Sequence, residues 1–402
     1  MAFITSLRIK NFFSIKDEVT IDFKASQYNI ENNPERLFEF NGEYYNKIIS
    51  LYGANASGKT TVLKAMVTVA DIVKNQSDEK FPASFKNKFN SSNTTSSLNM
   101  GFILNNKQFF YEIEFKSNGF ENIGIKYEKL FKIKESEKVV LIDRENKRVE
   151  NVDDNIKKAI FDNLENKKSL IQEFYKFESE KNLVLILDFF SNLIFPSNIT
   201  LYKSKLNIDV ENEVNIGYVL DSKLGLEDLE KFYLSFFKSI GLDIYKVKAR
   251  FKEVAGKPKE FKGIYVYHEI NRNEPLEFGL ESDGTQMLMK ILLDIYFVKA
   301  TKVPLIIDEL DSSIHPALVP IIINLLIENN IQIIYSTHNI YNMTFLQNDE
   351  VFLIEKDLNH TTIIKPVKDN PNIKDYENIL ISYENGDLGG IPDVKEIITK
   401  IF

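Results

Sequence analysis

The chain has 402 residues, 44% of them hydrophobic, a net charge of −8 and no cysteine. That length suits one large or two modest domains and the apolar share suits a substantial core, while disulfides and thiolate metal sites are excluded, as expected in a reducing cytosol. The acidic balance excludes a surface that coats nucleic acid non-specifically, so any such contact must be local. Met1 to Ser14 has no long apolar run, so no secretion signal is expected. The longest apolar stretch, Leu183 to Phe195, is broken by Asp188, Ser191 and Asn192 and is too short to cross a bilayer.

Phe3 to Lys10 alternates, as does Val19 to Phe23, which predicts a hairpin connected by Asn11 to Asp17. Within it, Ile9-Lys10-Asn11-Phe12-Phe13-Ser14-Ile15 reads as a turn with buried aromatics. Residues 25 to 46, rich in Asn, Glu and Tyr, read as irregular. Lys47 to Tyr52 then predicts a short buried strand. Gly53-Ala54-Asn55-Ala56-Ser57-Gly58-Lys59-Thr60 follows and matches G-x-x-x-x-G-K-[ST], the phosphate-binding P-loop. Behind it Leu63, Met66, Ala70 and Val73 recur at helical spacing. The chemistry needs that strand–loop–helix order. Glycines let backbone N–H groups curl around a polyphosphate, and the helix N-terminus adds its positive dipole end. Lys59 is expected on the β- and γ-phosphates and the Thr60 hydroxyl on Mg²⁺. Gly53, Asn55, Ala56, Ser57, Gly58 and Thr61 complete the expected ATP-binding set.

Residues 90 to 97 are a polar, loop-like run. Alternating segments near 98–104, 107–117, 122–133 and 138–143 predict an antiparallel meander, with turns at Asn105-Asn106 and Asn118-Gly119. From 151 to 241 the pattern turns helical and mixed in charge, with Leu224, Leu229, Phe232, Phe236 and Phe237 on one helix. Tyr245 to Lys252 alternates strictly with every polar position basic, and Phe261 to Glu269 predicts a second strand. Lys246, Lys248, Arg250 and Lys252 are either a solvated strand face or an edge that contacts nucleic-acid phosphates.

Leu280-Glu281-Ser282-Asp283-Gly284-Thr285-Gln286 precedes a helix over Met287 to Lys299. Ser-x-Gly there is an anion site or simply an N-cap. Val303 to Glu309 is an apolar run ending in two carboxylates, as expected of a buried parallel strand delivering acids to a cleft. With a P-loop upstream, Asp308 is expected in the Mg²⁺ shell and Glu309 beside the attacking water. Ile331 to Asn339 is another apolar strand with a polar tip, where His338 would face the γ-phosphate. Asp349, Glu350, Glu355 and Asp357 read as solubilising charge at the two ends of a strand over Val351 to Ile354.

P-loop, Glu-Ser-Asp-Gly-Thr, Leu-Ile-Ile-Asp-Glu-Leu-Asp-Ser-Ser-Ile-His-Pro and Ser-Thr-His-Asn stand in that order. The set resembles the ABC-type ATPases of the SMC/RecF/OLD group, and most of all the stand-alone AAA-type ATP-binding proteins of bacterial anti-phage and abortive-infection systems. The opening Ile9 to Ile15 and the closing Tyr383 to Pro392 are similar to that subgroup. The resemblance implies that Ser282, Asp283 and Gly284 form the signature that meets the γ-phosphate of a second subunit. It likewise implies Asp311 as the D-loop aspartate and His338 as the switch histidine. The family's glutamine loop has no clear place, with Gln76 and Gln108 as candidates.

The expected fold is therefore α/β: a P-loop NTPase with an ABC-ATPase-like head, combining a mixed sheet with an antiparallel β meander, and a helical insertion. Residues 1–150 would hold the first part of the head, 151–241 a compact helical arm, and 242–402 the second part of the head. Only 64 residues follow His338, too few for a Toprim domain, so any nuclease or Toprim-like effector is expected to be another protein. The expected function is a cytoplasmic switch that dimerises on ATP, hydrolyses it and controls that effector, with no membrane partner. A RecF-like DNA-repair ATPase is the alternative. The base-reading Asn-Lys-x-Asp motif of GTPases is missing.

Overall fold

The structure, a computed structural model, describes residues 1–74, 87, 95–117, 123–193, 226–252, 260–312, 314–371, 373, 379–385 and 388. The Asn118-Gly119 turn, Gln76, most of the polar run 90–97 and most of the closing segment 383–392 lie outside these residues. By contacts the chain divides into two units, one of residues 1–202, 302–310 and 320–402, the other of 203–301 and 311–319.

In the first unit, β1 (Ala2–Lys10) and β2 (Val19–Asp22) form the expected antiparallel pair. A register shift between Ile4 and Ser6 interrupts the alternation, so Phe3, Ile4, Leu7 and Ile9 are all buried. Residues 25–46 are more ordered than their composition suggests. They hold helix α1 (Gln27–Asn32) and the hairpin β3 (Leu37–Phe40) and β4 (Glu43–Asn46). Asn41 and Gly42, both at positive φ, make that hairpin's two-residue turn. Next come β5 (Ile48–Tyr52) and helix α2 (Lys59–Val73).

The meander is β6 (Thr95–Leu104), β7 (Lys107–Ser117), β8 (Ile123–Lys134), β9 (Glu137–Asp143) and β10 (Arg148–Val149). With β1 and β2 it builds one antiparallel sheet in the order β10-β9-β8-β7-β6-β1-β2. Asn105 and Asn106 sit at φ 47° and 57°, the two positive values a type I′ turn requires. Glu135 and Ser136 do the same between β8 and β9 without an Asn or Gly signal. Helices α3 (Asp154–Asp162), α4 (Leu170–Phe174) and α5 (Asn182–Asn192) follow in this same unit. Phe189 and Phe190 of α5 pack on Phe102 of β6, at 5.3 and 5.4 Å between ring centroids.

The second sheet of this unit runs β14 (Leu305–Ile307), β15 (Ile333–Ser336), β5, β16 (Val351–Lys356), β17 (Thr362–Pro366). Its first four strands are parallel and β17 is an antiparallel edge. These parallel strands are apolar on both faces, which is why their sequence shows runs rather than alternation. Helix α2 touches β1 and β6 of one sheet and β15 of the other, and it is buried nearly all round. Gln332, wholly buried, ties the sheets together. It accepts from Ile4 N at 2.9 Å and donates to the carbonyls of Ile4 and Asn46.

In the second unit, β11 (Ile244–Lys252), β12 (Glu260–His268) and β13 (Leu276–Glu277) form a small antiparallel sheet. The helix Leu226–Ser239 packs on β11 and on the helix Asp283–Thr301. Tyr233 OH donates to Met289 O at 2.9 Å across that helix pair, and Phe232 meets Tyr296 at 5.6 Å. Among the described residues no helix is long and apolar enough to cross a membrane.

Candidate functional site

Because β14, β15 and β5 are parallel neighbours, their C-terminal ends share one edge of the sheet, where open α/β sheets present ligands. The P-loop leaves β5, Asp308-Glu309 leave β14, and Thr337-His338 leave β15. Three segments far apart in sequence thus converge.

Gly53 and Gly58 take φ 154° and 120°. A Cβ at Gly53 would collide with the Ile354 carbonyl oxygen, and one at Gly58 with the Thr362 side chain, so both positions require glycine. Asn55 and Ala56 form the exposed tip, with Ala56 left-handed at φ 63°. Gly58 caps α2 without a side chain, so no capping side chain competes with a ligand for the helix N-terminus. Lys59 is buried and its Nζ donates to the carbonyls of Gly53 and Ala54 at 2.9 and 3.2 Å, so the ammonium lies inside the curl of the loop. Ser57 Oγ is buried there with no hydrogen-bond partner among the described residues. A bare loop, a central cation and an unsatisfied hydroxyl are what a polyphosphate group fits.

Thr60 Oγ1 donates to Asp308 Oδ2 at 2.9 Å. A hydroxyl and a carboxylate held this close are hard oxygen ligands suited to Mg²⁺. The other Asp308 oxygen accepts from Ser336 Oγ, which in turn accepts from Glu309 N at 2.8 Å. Strand β14 ends at Ile307, short of the expected Glu309, because Glu309 turns left-handed at φ 52°. That turn brings Glu309 Oε1 within 3.8 Å of His338 Nε2, both side chains being partly exposed. The structure therefore joins Lys59, Thr60, Asp308, Glu309 and His338 in one site.

Two residues beside the loop carried no role in the sequence. Thr362 Oγ1 is 2.7 Å from Ser57 O and 2.8 Å from Ser14 Oγ, and Ser14 Oγ is 3.0 Å from Thr61 Oγ1. Each hydroxyl has one proton and the Ser57 carbonyl only accepts. Thr362, the donor in both of its contacts, therefore shares one proton between Ser57 O and Ser14 Oγ. Ser14 reaches this place because Asn11, buried in the same turn, donates to Thr95 O at 2.8 Å and accepts from Ser96 Oγ at 2.6 Å. The motif-like spacing of Ile9 to Ile15 was the only signal for it.

In the second unit, Ser282 is the N-cap of the helix Asp283–Thr301. Its Oγ accepts from Thr285 N at 3.2 Å, and Gln286 N donates to Ser282 O at 2.9 Å. Ser282 and Asp283 are exposed, with Gly284 following in the first turn. Glu281 is held by His268 Nε2 at 2.8 Å. Asp311 carries a buried Oδ1 without a hydrogen-bond partner among the described residues. Gln108 pairs with Ile103 and Ile133 inside the meander.

The basic strand is partly committed within the protein. Lys248 pairs with Glu230, and Lys246 Nζ lies 4.9 Å from the centroid of the Tyr267 ring. The side chains of Arg250 and Lys252 lie outside the described residues. Asp349 and Glu350 are not solubilising charge. Glu350 is wholly buried and takes Arg36 Nε and Nη2 at 2.7 Å each, plus Gln347 N at 2.9 Å. Asp349, also buried, accepts from Ser26 N at 2.6 Å and from Asn29. Burial raises both carboxyls above their ordinary range, and for Glu350 the Arg36 guanidinium works against that rise.

None of the curated proteins matches the chain. Among solved structures, an SMC head domain from Thermotoga maritima aligns at 15% identity over 90% of this chain and 98% of its own, with a TM-score of 0.44. An SMC head bound to the C-winged helix domain of ScpA aligns at 12% identity over 90% of this chain and 97% of its own, with a TM-score of 0.48. Residues 48–343, from β5 past the tip of β15, match the family described as AAA domain, putative AbiEii toxin, Type IV TA system, and the chain belongs to that family of P-loop ATPases.

Proposed function

We propose that the protein is an ATP-driven switch that binds ATP–Mg²⁺, dimerises on it, hydrolyses it and thereby controls a separate effector in anti-phage defence. The observation that carries this reading is the convergence of Lys59, Thr60, Asp308, Glu309 and His338 at the ends of three adjacent parallel strands. Lys59 and the first-turn amides of α2 hold the phosphates. Thr60 and Asp308 would hold Mg²⁺, which when bound would supply positive charge to the phosphoryl oxygens. Glu309 takes the proton of the attacking water and His338, beside it, faces the γ-phosphate. Ser282, Asp283 and Gly284 cap the nucleotide of a second copy, with Asp311 at the same junction. The family description, a putative toxin of a type IV system, supports a defence role over DNA repair. The engagement of Lys248 with Glu230 removes one cation from the phosphate-contacting edge that the repair reading needs.

Steady-state hydrolysis and ATP titration of Lys59→Ala and Glu309→Gln test the reading together. Lys59→Ala should lose ATP binding, since a charge-assisted contact of about 1.5–3 kcal/mol disappears. Glu309→Gln should bind ATP normally and turn over about 10²–10⁴-fold more slowly, because the amide cannot take a proton. Wild-type affinity in the first, or wild-type turnover in the second, would refute the assignment.

A further inference from the structure

Ser336 stands at the tip of β15 and is wholly buried, and both its hydroxyl and its carbonyl engage the β14 tip. Its hydroxyl donates to Asp308 Oδ1 and accepts from Glu309 N at 2.8 Å, while its carbonyl accepts from Leu310 N at 3.1 Å. Three consecutive residues, 308 to 310, are thus fastened to one neighbour. The middle one is the residue in the left-handed region, at φ 52°, a conformation that a glutamate holds only when its surroundings over-determine it.

The geometry points to Ser336 as the positioning residue for Glu309, a role that rests on the reading of Glu309 as the base given above. In an extended strand, consecutive side chains face opposite sides, so Asp308 and Glu309 would be sent apart. The left-handed turn at Glu309 ends the strand and lets both carboxylates serve one edge. Ser336 keeps that turn: its hydroxyl supplies the acceptor that the Glu309 amide would otherwise lack, and the same hydroxyl's proton fixes Asp308. Asp308 is held from its other oxygen by Thr60 at 2.9 Å, so it retains an anchor when Ser336 is changed. Among the described residues, Ser336 Oγ is the acceptor of the Glu309 amide and the partly exposed His338, at 3.8 Å, is the partner of its carboxylate. Loss of the Ser336 hydroxyl should therefore fall on the proton-taking step far more than on nucleotide binding.

The test is kinetic. Ser336→Ala should lower kcat about 10–100-fold, a part of what a positioned base supplies, with KM and the dissociation constant for ATP within about threefold of wild type. In a Glu309→Gln background, Ser336→Ala should produce no further loss, because a residue acting through Glu309 has nothing left to position. Ser336→Cys fills the same space with a weaker donor and acceptor, and should fall between Ala and wild type at an unchanged melting temperature. If Ser336→Ala does not fold, the Cys variant alone decides. Wild-type kcat in it, a loss of ATP affinity as large as the loss in kcat, or additive losses in the double variant would each overturn the role of Ser336. Wild-type turnover in Glu309→Gln alone would instead overturn the underlying reading.

Discussion

Gly58 and Thr362 meet so closely that any side chain at the first would displace the second, and this contact orients a hydroxyl onto the P-loop. Thr362 Oγ1 donates to Ser57 O at 2.7 Å and also reaches Ser14 Oγ, at 2.8 Å. Thr362→Val keeps shape and removes the donor, leaving a buried carbonyl unsatisfied at a cost of about 1–3 kcal/mol. The loop should loosen and ATP affinity should fall about tenfold, with Thr362→Ser restoring it; calorimetric titration reads both. Equal affinity in Thr362→Val would show that the loop holds its curl alone. Lys59, Thr60 and Asp308 were legible in the sequence because each belongs to a local pattern: glycines and a lysine in one segment, an apolar run ending in an acid in another. Ser14, Thr362 and Ser336 were not, because their partners are set by which strands lie side by side. Thr362 meets Ser57 only since β17 flanks β16 and β16 flanks β5.

At the scale of elements, polar residues misread as surface charge or irregular chain turn out to hold pieces together. Arg36 leaves the short helical turn before β3 and forks onto Glu350 at the start of β16, joining the 25–46 segment to the parallel sheet. Composition suggested loop there because Asn and Glu are poor strand formers, yet their hydrogen bonds are satisfied tertiarily. Arg36→Ala would leave Glu350 charged, buried and unpaired, and should cost about 3–5 kcal/mol in urea unfolding; a change below about 1 kcal/mol would mean that Glu350 is relieved by its amide donors. The helix Asp283–Thr301 holds the opposite case. Burial pushes the Asp294 carboxyl up to about 7, with Lys290 opposing the rise, and burial first and Asp294 second push the Tyr233 phenol up. The unfolded chain releases this proton near pH 4 and the folded one near pH 7, so between those values the native state binds more protons. Its contribution to stability is therefore greatest at low pH and is lost as pH rises through that window, by up to roughly 1.4 kcal/mol per unit. Asp294→Asn should raise stability at pH 8 relative to wild type and do little at pH 4.5. Unfolding curves with the same difference at both pH values would place the titration elsewhere.

For the whole molecule, the central expectation is an ATP-linked pair of chains in which the signature of one copy completes the site of the other. Ser282 complicates the obvious test, because it is also the N-cap of its helix. A substitution there removes a cap worth about 1 kcal/mol as well as any contact with a partner's nucleotide. Two variants separate these effects. Ser282→Ala removes the cap and leaves the surface open. Ser282→Arg removes the cap and adds a bulky cation where a second copy would approach. Light scattering with ATP, using Glu309→Gln to hold the nucleotide, should give a dimer for Glu309→Gln alone, a weakened dimer with Ser282→Ala added, and monomer with Ser282→Arg added, while all three bind ATP. In the otherwise wild-type chain Ser282→Arg should lose turnover more completely than Ser282→Ala, although the cap is lost in both. A Ser282→Arg chain that hydrolyses ATP at the wild-type rate would mean that the P-loop, Asp308, Glu309 and His338 suffice within one copy, and the switch would then have to operate without pairing.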